Sequence, residues 1–395
     1  MIRDWIARRW NVLRPLAGIL SGLIVAACVM RLTGFQPLAA YAALWSGASG
    51  LEYGAASGEG QIALGSGHLN TFLLAQSLSA VTPLIFTGLA VAVGLRAGLF
   101  NVGAQGQMTM GALAAAAVGV IGRTGLSDAG TLNPALHVGL VLVAGAAAGA
   151  IWGIVPGILK AARGVHEVIS TIMLNFIALD AVQYLVTHSL KDDAPGNQAA
   201  QSPIMASTSW LWPYVNGSNL TAGLPIALAL LLIVSFMIKR TSLGYQIRAV
   251  GLGADAAGAN GVPVARVLVT SMAISGAISG IAGAVQVMGI HHRYVAGVAG
   301  SFGFDGIAVA LLGNLSGIGV LLGAVFFGAL ASGALYMQTN TNVPAPVSEI
   351  VQAAVIIFTG AKYTIAARTK NITTAKDDQD PGIVEGRTLA EGAAG

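Results

Sequence analysis

The sequence predicts an all-α polytopic membrane protein of about ten transmembrane helices. Of its 395 residues, 55% are hydrophobic and only 9% are charged, which is more apolar than a soluble domain can bury. The 53 glycines support this, because glycine lets membrane helices approach closely. The single Cys28 excludes an intrachain disulfide, and no Cys/His spacing predicts a metal site. Scattered cations without a basic patch argue against nucleic-acid binding.

The predicted helices follow from apolar runs that approach or exceed the length needed to cross a hydrocarbon layer of roughly 30 Å. The first run, 15–32, follows four arginines and predicts a span, although a cleaved lipoprotein signal ending at Cys28 is the alternative. Residues 33–67 predict an external loop with a short interfacial amphipathic helix. The run 302–315 is short enough for a half-helix or a tilted span. The other runs cover 68–95, 98–121, 134–159, 168–188, 220–238, 267–290, 318–337 and 347–366.

The distribution of charge predicts the orientation of these helices. With a cytoplasmic segment 1–14, all but four of the 20 Lys and Arg residues fall on the cytoplasmic side, as the positive-inside rule requires. The exceptions are Arg31, Arg123, Lys191 and Arg293. The prediction is therefore one permease-like transmembrane domain over 15–366, with both termini cytoplasmic and a polar, disordered tail over 367–395.

The segment 239–266 is the longest water-compatible stretch between two predicted spans, and it falls on the cytoplasmic side. Its GLGADA sequence at 251–256 fits a dinucleotide-binding fingerprint, but fewer than thirty residues cannot supply the strand–helix units of that fold. We expect instead a short helix over 254–260, ended by Gly261, with Pro263 leading into the next span. Because the chain has no phosphate-binding loop, any ATP-driven activity requires a partner.

Polar residues at membrane depth are candidates for a substrate pathway. Glu167, Thr171 and Asn175 lie at i, i+4 and i+8, on one face of a helix. His166-Glu167 opens a near-match to a zinc-protease motif, which fails because position 170 is serine. The alternative role for these polar residues is interhelical hydrogen bonding that fixes packing. The full candidate set for the pathway is Asn101, Gln105, Gln107, Glu167, Thr171, Asn175 and Asp305.

Two sets of glycines predict close helix packing, because small residues at i and i+4 form a smooth groove. One set lies in the run 134–159 and the other in the run 267–290. They are Gly145, Gly149, Gly153 and Gly157, and Gly276 and Gly280.

Four segments carry a resemblance to a known family: PLIFTGLAVAVGLRAGLFNVGAQGQMTMGA, GVHEVISTIMLNFIAL, TSLGYQIRAVGLGADAAGANGV and FGFDGIAVALLGN. They resemble the permease subunits of bacterial ABC importers, in the nucleoside and simple-sugar branch of the ribose and branched-chain amino-acid permease class. The similarity extends from about residue 38 to 366. Departures are Gln105 where glutamate is usual, His166 where asparagine is common, and 314–316 where a proline-containing turn is usual.

The resemblance implies a type II importer permease of the bacterial inner membrane that is not itself an enzyme. It implies a second permease subunit, identical or homologous, two ATP-binding subunits or a double ATPase that hold ATP and Mg²⁺, and an external binding lipoprotein or periplasmic protein. No cofactor is expected in this chain. The implied ATPase-docking residues are Gly244, Arg248, Gly251, Asp255, Ala256, Ala257 and Gly261.

The leading functional hypothesis is the import of nucleosides, with a simple sugar such as ribose or a branched-chain amino acid as the alternative cargo. A rival class is an ion-coupled secondary transporter that uses Glu167, Asp180 or Asp305 as its coupling site. An intramembrane enzyme is a weaker alternative, because the sequence offers no nucleophile–base pair or metal site.

Overall fold

The computed structural model describes residues 18–53, 61–64, 67–122, 130–192, 199–354 and 357. The chain divides into two compact units, residues 1–29 with 349–395, and residues 30–348. In the first unit, Gly22 packs against Val351 and Ala354 so closely that a Cβ would clash. The predicted tails 1–14 and 367–395, and most of the run 347–366, lie outside the described residues. The single domain over 15–366 stays a prediction.

The described chain is mostly helical. Six helices are long and apolar enough to cross a membrane: α3, α5, α6, α7, α10 with its π-helical extension, and α12. The ten predicted spans are not all present at that length in the described ranges, because α1 and α11 are shorter apolar helices and α4 has 16 residues. A helical segment also covers 347–354. The bounds are α1 Gly18–Leu32, α2 Pro37–Ser49, α3 Thr71–Arg96, α4 Ala104–Gly119, α5 Pro134–Arg163, α6 Glu167–His188, α7 Gly223–Arg240, α8 Ser242–Leu252, α9 Ala254–Ala259, α10 Val264–Gln286 with a π-helix Val287–His291, α11 Phe302–Leu312 and α12 Gly317–Thr341.

The predicted span 98–121 is shorter than expected because the chain turns before α4 begins. Gly98 has a positive φ of 75°, a conformation that glycine adopts without strain. Leu99 donates its backbone N–H to Gly94 (2.9 Å), and the side chain of Asn101 accepts from the N–H of Gly103 (2.9 Å). These turn contacts end α3 and delay the start of α4.

A small antiparallel sheet corrects the all-α prediction. It comprises β1 Leu51–Tyr53, β2 Gln61–Leu64 and β3 Gly67–Asn70 in the order β1-β3-β2, with Glu52 opposite His68. The short helix expected within 33–67 is present, but it is apolar rather than amphipathic, and its position at the membrane interface stays a prediction. The helix in that region, α2, packs against α12 and α3, and its Gly47 lies directly against Gly333 and Tyr336, because alanine and glycine permit close helix contact.

The central helix is α3, which α2, α7, α10, α11 and α12 surround. Its N-terminus is capped by Asn70, whose side chain accepts from the N–H groups of Phe72 and Leu73, satisfying donors that a helix start leaves unpaired. Nearly every residue from Val81 to Gly94 is buried. Movement of α3 would therefore disturb most of the larger unit.

The tightest described helix contact joins α5 and α10. A Cβ on Gly149 would clash with Gly276 and Gly280, and a Cβ on Gly280 would clash with the backbone of Gly145. Gly153 faces Met272 and Gly157 faces Val269. The two predicted glycine sets thus face each other, and the helices approach at backbone distance.

Candidate functional site

A buried cluster of amides lies where α3, α4 and α10 meet. The Asn101 side chain donates to Gln107 Oε1 (2.9 Å) and to Ser275 Oγ (2.8 Å). Ser275 in turn donates to the backbone oxygen of Ala90 (2.6 Å). Both amides are at most 1% exposed. Because buried polar groups are costly unless paired, this cluster fixes how the three helices pack.

Two other predicted pathway residues form hydrogen bonds with backbone groups at the starts of neighbouring helices. Asn175 of α6 accepts from the N–H of Gly106 (2.8 Å) and donates to the oxygen of Val102 (3.0 Å). Gln105 accepts from the N–H of Gly303 (2.9 Å) and donates to the oxygen of Gly300 (2.7 Å). These amides therefore tie α4 to α6 and to α11.

The remaining predicted pathway residues lie apart. Thr171 is fully buried and donates to the oxygen of Glu167 (2.8 Å). Glu167 pairs with Lys160 across the turn between α5 and α6 (2.9 Å), and Asp305 accepts from Ser301 (2.7 Å). The structure thus brings Asn101 and Gln107 into one cluster and leaves Glu167 and Asp305 at helix ends.

A cavity of about 360 Å³, which we call the α4–α6 cavity, lies beside Gln105 and Asn175. Its walls come from α4, α6, the segment 294–300 and α11. Most of the lining is apolar or aromatic, and the lining residues carry no full charge. They include Phe176, Tyr294, Phe304 and Thr109. Burial raises the pKa of Tyr294 to about 12, so this phenol stays neutral at physiological pH.

A larger cavity of about 610 Å³, which we call the carboxamide cavity, lies between α3, the end of α10, the segment 297–302 and α12. Gln76, Asn219 and Gln286 are among its lining residues. Gly297, Val298 and Gly300 line both this cavity and the α4–α6 cavity. The glycine-rich segment 297–300 therefore separates the two cavities, and both volumes suit a small molecule.

Glu52 forms a polar cluster that sequence reasoning did not identify. Its carboxylate accepts from the Tyr336 hydroxyl, from Asn70 (3.2 Å) and lies 3.2 Å from His68 Nε2. Desolvation raises the pKa of Glu52, but hydrogen bonds from Tyr336, Asn70 and His68 outweigh it and hold the pKa below 4.5. Tyr336 also lines the carboxamide cavity. The sheet and α12 are thus connected through one carboxylate.

This cluster predicts an acid-sensitive contribution to stability. Because the folded-state pKa of Glu52 is depressed, its ionised form stabilises the fold above about pH 4.5 and that stabilisation is lost as pH falls through the folded pKa. Thermal unfolding of the wild type and of Glu52→Gln should therefore differ most near neutral pH and converge once the pH falls below the folded-state pKa of Glu52. A difference that grew on acidification would contradict the assignment. Tyr336→Phe, which removes one donor, should show a smaller effect of the same sign.

The helices α8 and α9 occupy the segment where the sequence predicted a short helix. α9 spans Ala254–Ala259 and the chain leaves it at Gly261 with φ 81°, which confirms the predicted helix and its end. Residues 247–250, which directly precede the GLGADA sequence and would have to form the strand of a dinucleotide fold, lie inside the helix α8. Pro263 is the N-cap of α10, as expected.

The predicted docking residues divide into two groups. Gly244, Ala257 and Arg248 are buried or half-buried, whereas Gly251, Asp255, Ala256 and Gly261 are exposed. Sequence reasoning missed two exposed apolar side chains on the same segment, Leu252 (92% exposed) and Tyr245 (62%). The sequence could have indicated these two residues. They are large and apolar within a polar segment, and their spacing of seven positions, about two helical turns, places them on one face of a helix.

The segment α8 contacts the end of α3 directly. A Cβ on Gly251 would clash with the oxygen of Arg96 and the nitrogen of Gly98. Arg96 donates through Nε to the oxygen of Leu315 (2.8 Å), and the N-cap Thr241 holds the start of α8 by accepting from Gly244 (3.1 Å). A displacement of α8 would therefore push on α3 and on the turn before α12.

Comparison with known proteins identifies the family. Residues 73–360 match the family described as branched-chain amino acid transport system / permease component. The chain is 36% identical to the guanosine ABC transporter permease protein NupP of Bacillus subtilis, over 91% of this chain and 96% of that protein. It is 34% identical to the nucleoside ABC transporter permease protein NupB of Lactococcus lactis, over 90% and 92%, and 33% identical to the glucose ABC transporter permease protein TsgB13 of Haloferax volcanii, over 73% and 76%.

These matches agree with the helices described above and with the resemblance found in the sequence. A family match over residues 73–360 covers most of the chain, and relatives above 30% identity extend over nearly its whole length. The protein is a multi-pass membrane protein, and it belongs to the family of permease components of ABC transporters.

Proposed function

We propose that this permease subunit forms the membrane pathway for nucleosides in an ATP-driven importer. The observation that carries the proposal is the similarity to the guanosine and nucleoside permeases over at least 90% of both chains. The cavity linings support it, because neither contains an acidic residue, lysine or arginine. A neutral substrate would not need a charged partner in the membrane.

The glucose permease that is 33% identical favours a simple sugar as the second candidate cargo. A sugar presents hydroxyl groups but no planar base. Uptake by proteoliposomes that contain the complete transporter separates the candidates: guanosine should be accumulated in preference to ribose and leucine. Preference for ribose or leucine would overturn the nucleoside assignment while leaving the permease family intact.

For the pathway itself, the best-supported route passes between α4, α6 and α11, where the α4–α6 cavity lies. Asp180 lies outside the lining of that cavity and is exposed on α6, about 4 Å along the axis from the middle of the helix. A charged side chain near the centre of a bilayer faces water or protein rather than lipid. The face of α6 that carries Asp180 therefore borders the pathway or a second permease subunit.

For the assembly, we propose the arrangement that the family resemblance implies. Two permease subunits, identical or homologous, pair in the bacterial inner membrane with ten spans each and cytoplasmic termini. Two ATP-binding subunits or a double ATPase hold ATP and Mg²⁺, and an external lipoprotein or periplasmic protein delivers the substrate. The exposed residues of α8 and α9, which we call the docking surface, contact the ATPase and include Tyr245, Leu252, Ala254, Asp255 and Ala256.

Coupling would then proceed through α3. Closure of the ATPases displaces α8, and the contact of Gly251 with Arg96 and Gly98 transmits the displacement to the end of α3. The 26 residues of α3 extend roughly 39 Å, and their other end lines the carboxamide cavity. Rigid movement of packed helices of this kind alternates access between the two sides of a membrane.

A further inference from the structure

The carboxamide cavity contains a buried amide that the protein does not use. Gln286 is only 5% exposed and lines the cavity near the end of α10. Within the described part of the chain, its side chain has no hydrogen-bond partner, and its amide atoms are open to the cavity rather than fully enclosed. Buried amides are almost always paired with protein or water, so an amide that has no protein partner and faces a cavity is available to hydrogen-bond a ligand there.

Two more carboxamides lie at the same end of the cavity. Ser79 and Gln76 hold the backbone of Asn219: Ser79 donates to its oxygen (3.0 Å), and Gln76 Oε1 accepts from its N–H (3.4 Å). The NH₂ group of Gln76 is left for another acceptor. Ser79, Asn219 and Gln286 also line a smaller adjoining recess. Donors and acceptors for a planar polar group are thus concentrated on one wall.

Most of the remaining lining is aromatic or aliphatic, and Ser332 and Thr339 add hydroxyl groups. Phe72, Phe302 and Tyr336 contribute rings, and Leu335 and Ile290 contribute aliphatic side chains. The Tyr336 hydroxyl is held by Glu52, so its ring position is fixed from outside the cavity. The lining contains no lysine or arginine, and His291, whose imidazole is mostly neutral at pH 7, is its only basic residue. This composition suits a flat heteroaromatic ring better than a phosphate or a carboxylate.

We propose that the carboxamide cavity is a nucleobase-recognition site of this permease, with Gln286 hydrogen-bonded to the edge of the base. The inference rests on the proposed nucleoside function. Glutamine and asparagine amides pair with base edges in a bidentate manner, and proteins that hold an isolated base combine such bonds with stacking on aromatic or apolar side chains. The cavity lies where the start of α3 and the ends of α10 and α12 meet, beside the sheet, and this is the predicted external side.

The first test is Gln286→Leu, which keeps the side-chain size but removes both the donor and the acceptor. In proteoliposomes with the complete transporter, we expect the KM for guanosine to rise at least about tenfold, because the base edge is left unpaired. Residual ribose uptake should be unchanged. Gln338→Leu is the matched control, since Gln338 is exposed near the same end of α12 and does not line the cavity. An unchanged guanosine KM for Gln286→Leu would overturn the proposal.

The second test does not depend on the variant folding. Membranes that contain the wild-type transporter are irradiated with 8-azidoguanosine, and labelled peptides are identified by mass spectrometry. We expect labels within 72–80 or 286–291 that excess guanosine prevents. Labels confined to the α4–α6 cavity, or a phospholipid bound in the carboxamide cavity that guanosine does not displace, would overturn the proposal.

The two proposals fail differently. If wild-type proteoliposomes accumulate ribose or leucine rather than guanosine, the nucleoside function itself is wrong. If the wild type prefers guanosine but Gln286→Leu retains that preference and its KM, only the site is wrong.

Discussion

Gly280→Ala is expected to lower the free energy of unfolding by at least about 2 kcal/mol, near the upper part of the usual range for overpacking. The added methyl group would overlap the carbonyl of Gly145 and lie against Gly149 on α5. Backbone atoms cannot rotate away as a side chain can, so α5 and α10 must separate. Gly149, Gly153 and Gly276 form contacts along the same seam, which is the close interface between α5 and α10, and these contacts would be weakened together.

Thermal unfolding in detergent checks this effect against a matched glycine. Gly139 lies on the same helix as Gly145 but has no atom near its Cβ position, so Gly139→Ala should be neutral or slightly stabilising because alanine favours a helix. Equal melting temperatures for Gly280→Ala and the wild type would show that the seam is looser than described.

Leu252→Asp is expected to weaken association with the ATPase by at least about tenfold. Leu252 is 92% exposed at the end of α8, so the substitution removes no contact within the described fold. Burying a leucine contributes roughly 1.5–3 kcal/mol, and about 1.4 kcal/mol corresponds to a factor of ten in affinity. ATP-driven uptake should fall in proportion at limiting ATPase concentration.

Co-purification and titration of the ATPase measure this directly. Leu252→Met keeps an apolar side chain of similar volume and should retain most of the affinity. Association with the external binding protein should be unchanged in both variants. Normal ATPase binding by Leu252→Asp would show that Leu252 does not contact the ATPase and would contradict the assignment of the docking surface to α8 and α9.

Features that depend on local sequence could be predicted. The spacing of Gly145, Gly149, Gly153 and Gly157 places them on one helix face wherever that helix packs, and the structure brings them to α10. The end of α9 followed from Gly261, because the left-handed conformation after a helix favours glycine. The family was evident because whole segments, not single residues, carry the resemblance.

Features that depend on distant partners could not be predicted. Asn175 and Gln105 were candidates for the pathway because they are polar within apolar runs, and they do line the α4–α6 cavity. Each nevertheless pairs with backbone groups about 70 or 200 positions away in sequence, so its hydrogen bonds are invisible in the sequence. The sheet was missed because its short strands alternate weakly and lie in a glycine- and serine-rich stretch.

The role of Gln286 was hidden for a related reason. A single glutamine near the end of an apolar run suggests the end of a span, and only the fold shows that Gln76 and Asn219 approach it. Conversely, Leu252 lies within the glycine-rich fingerprint, and only its exposure in the structure makes it a candidate for an apolar contact with a partner.

The central claim, an ATP-driven nucleoside permease, is tested most directly by one uptake measurement. Proteoliposomes that contain this subunit with its second permease, its ATPase and its external binding protein are loaded with ATP and Mg²⁺, and guanosine uptake is measured with ionophores that abolish proton and sodium gradients. We predict that accumulation requires ATP and continues when the gradients are collapsed. Accumulation driven by an ion gradient through this chain alone, without ATP, would contradict the account and favour the secondary-transporter alternative.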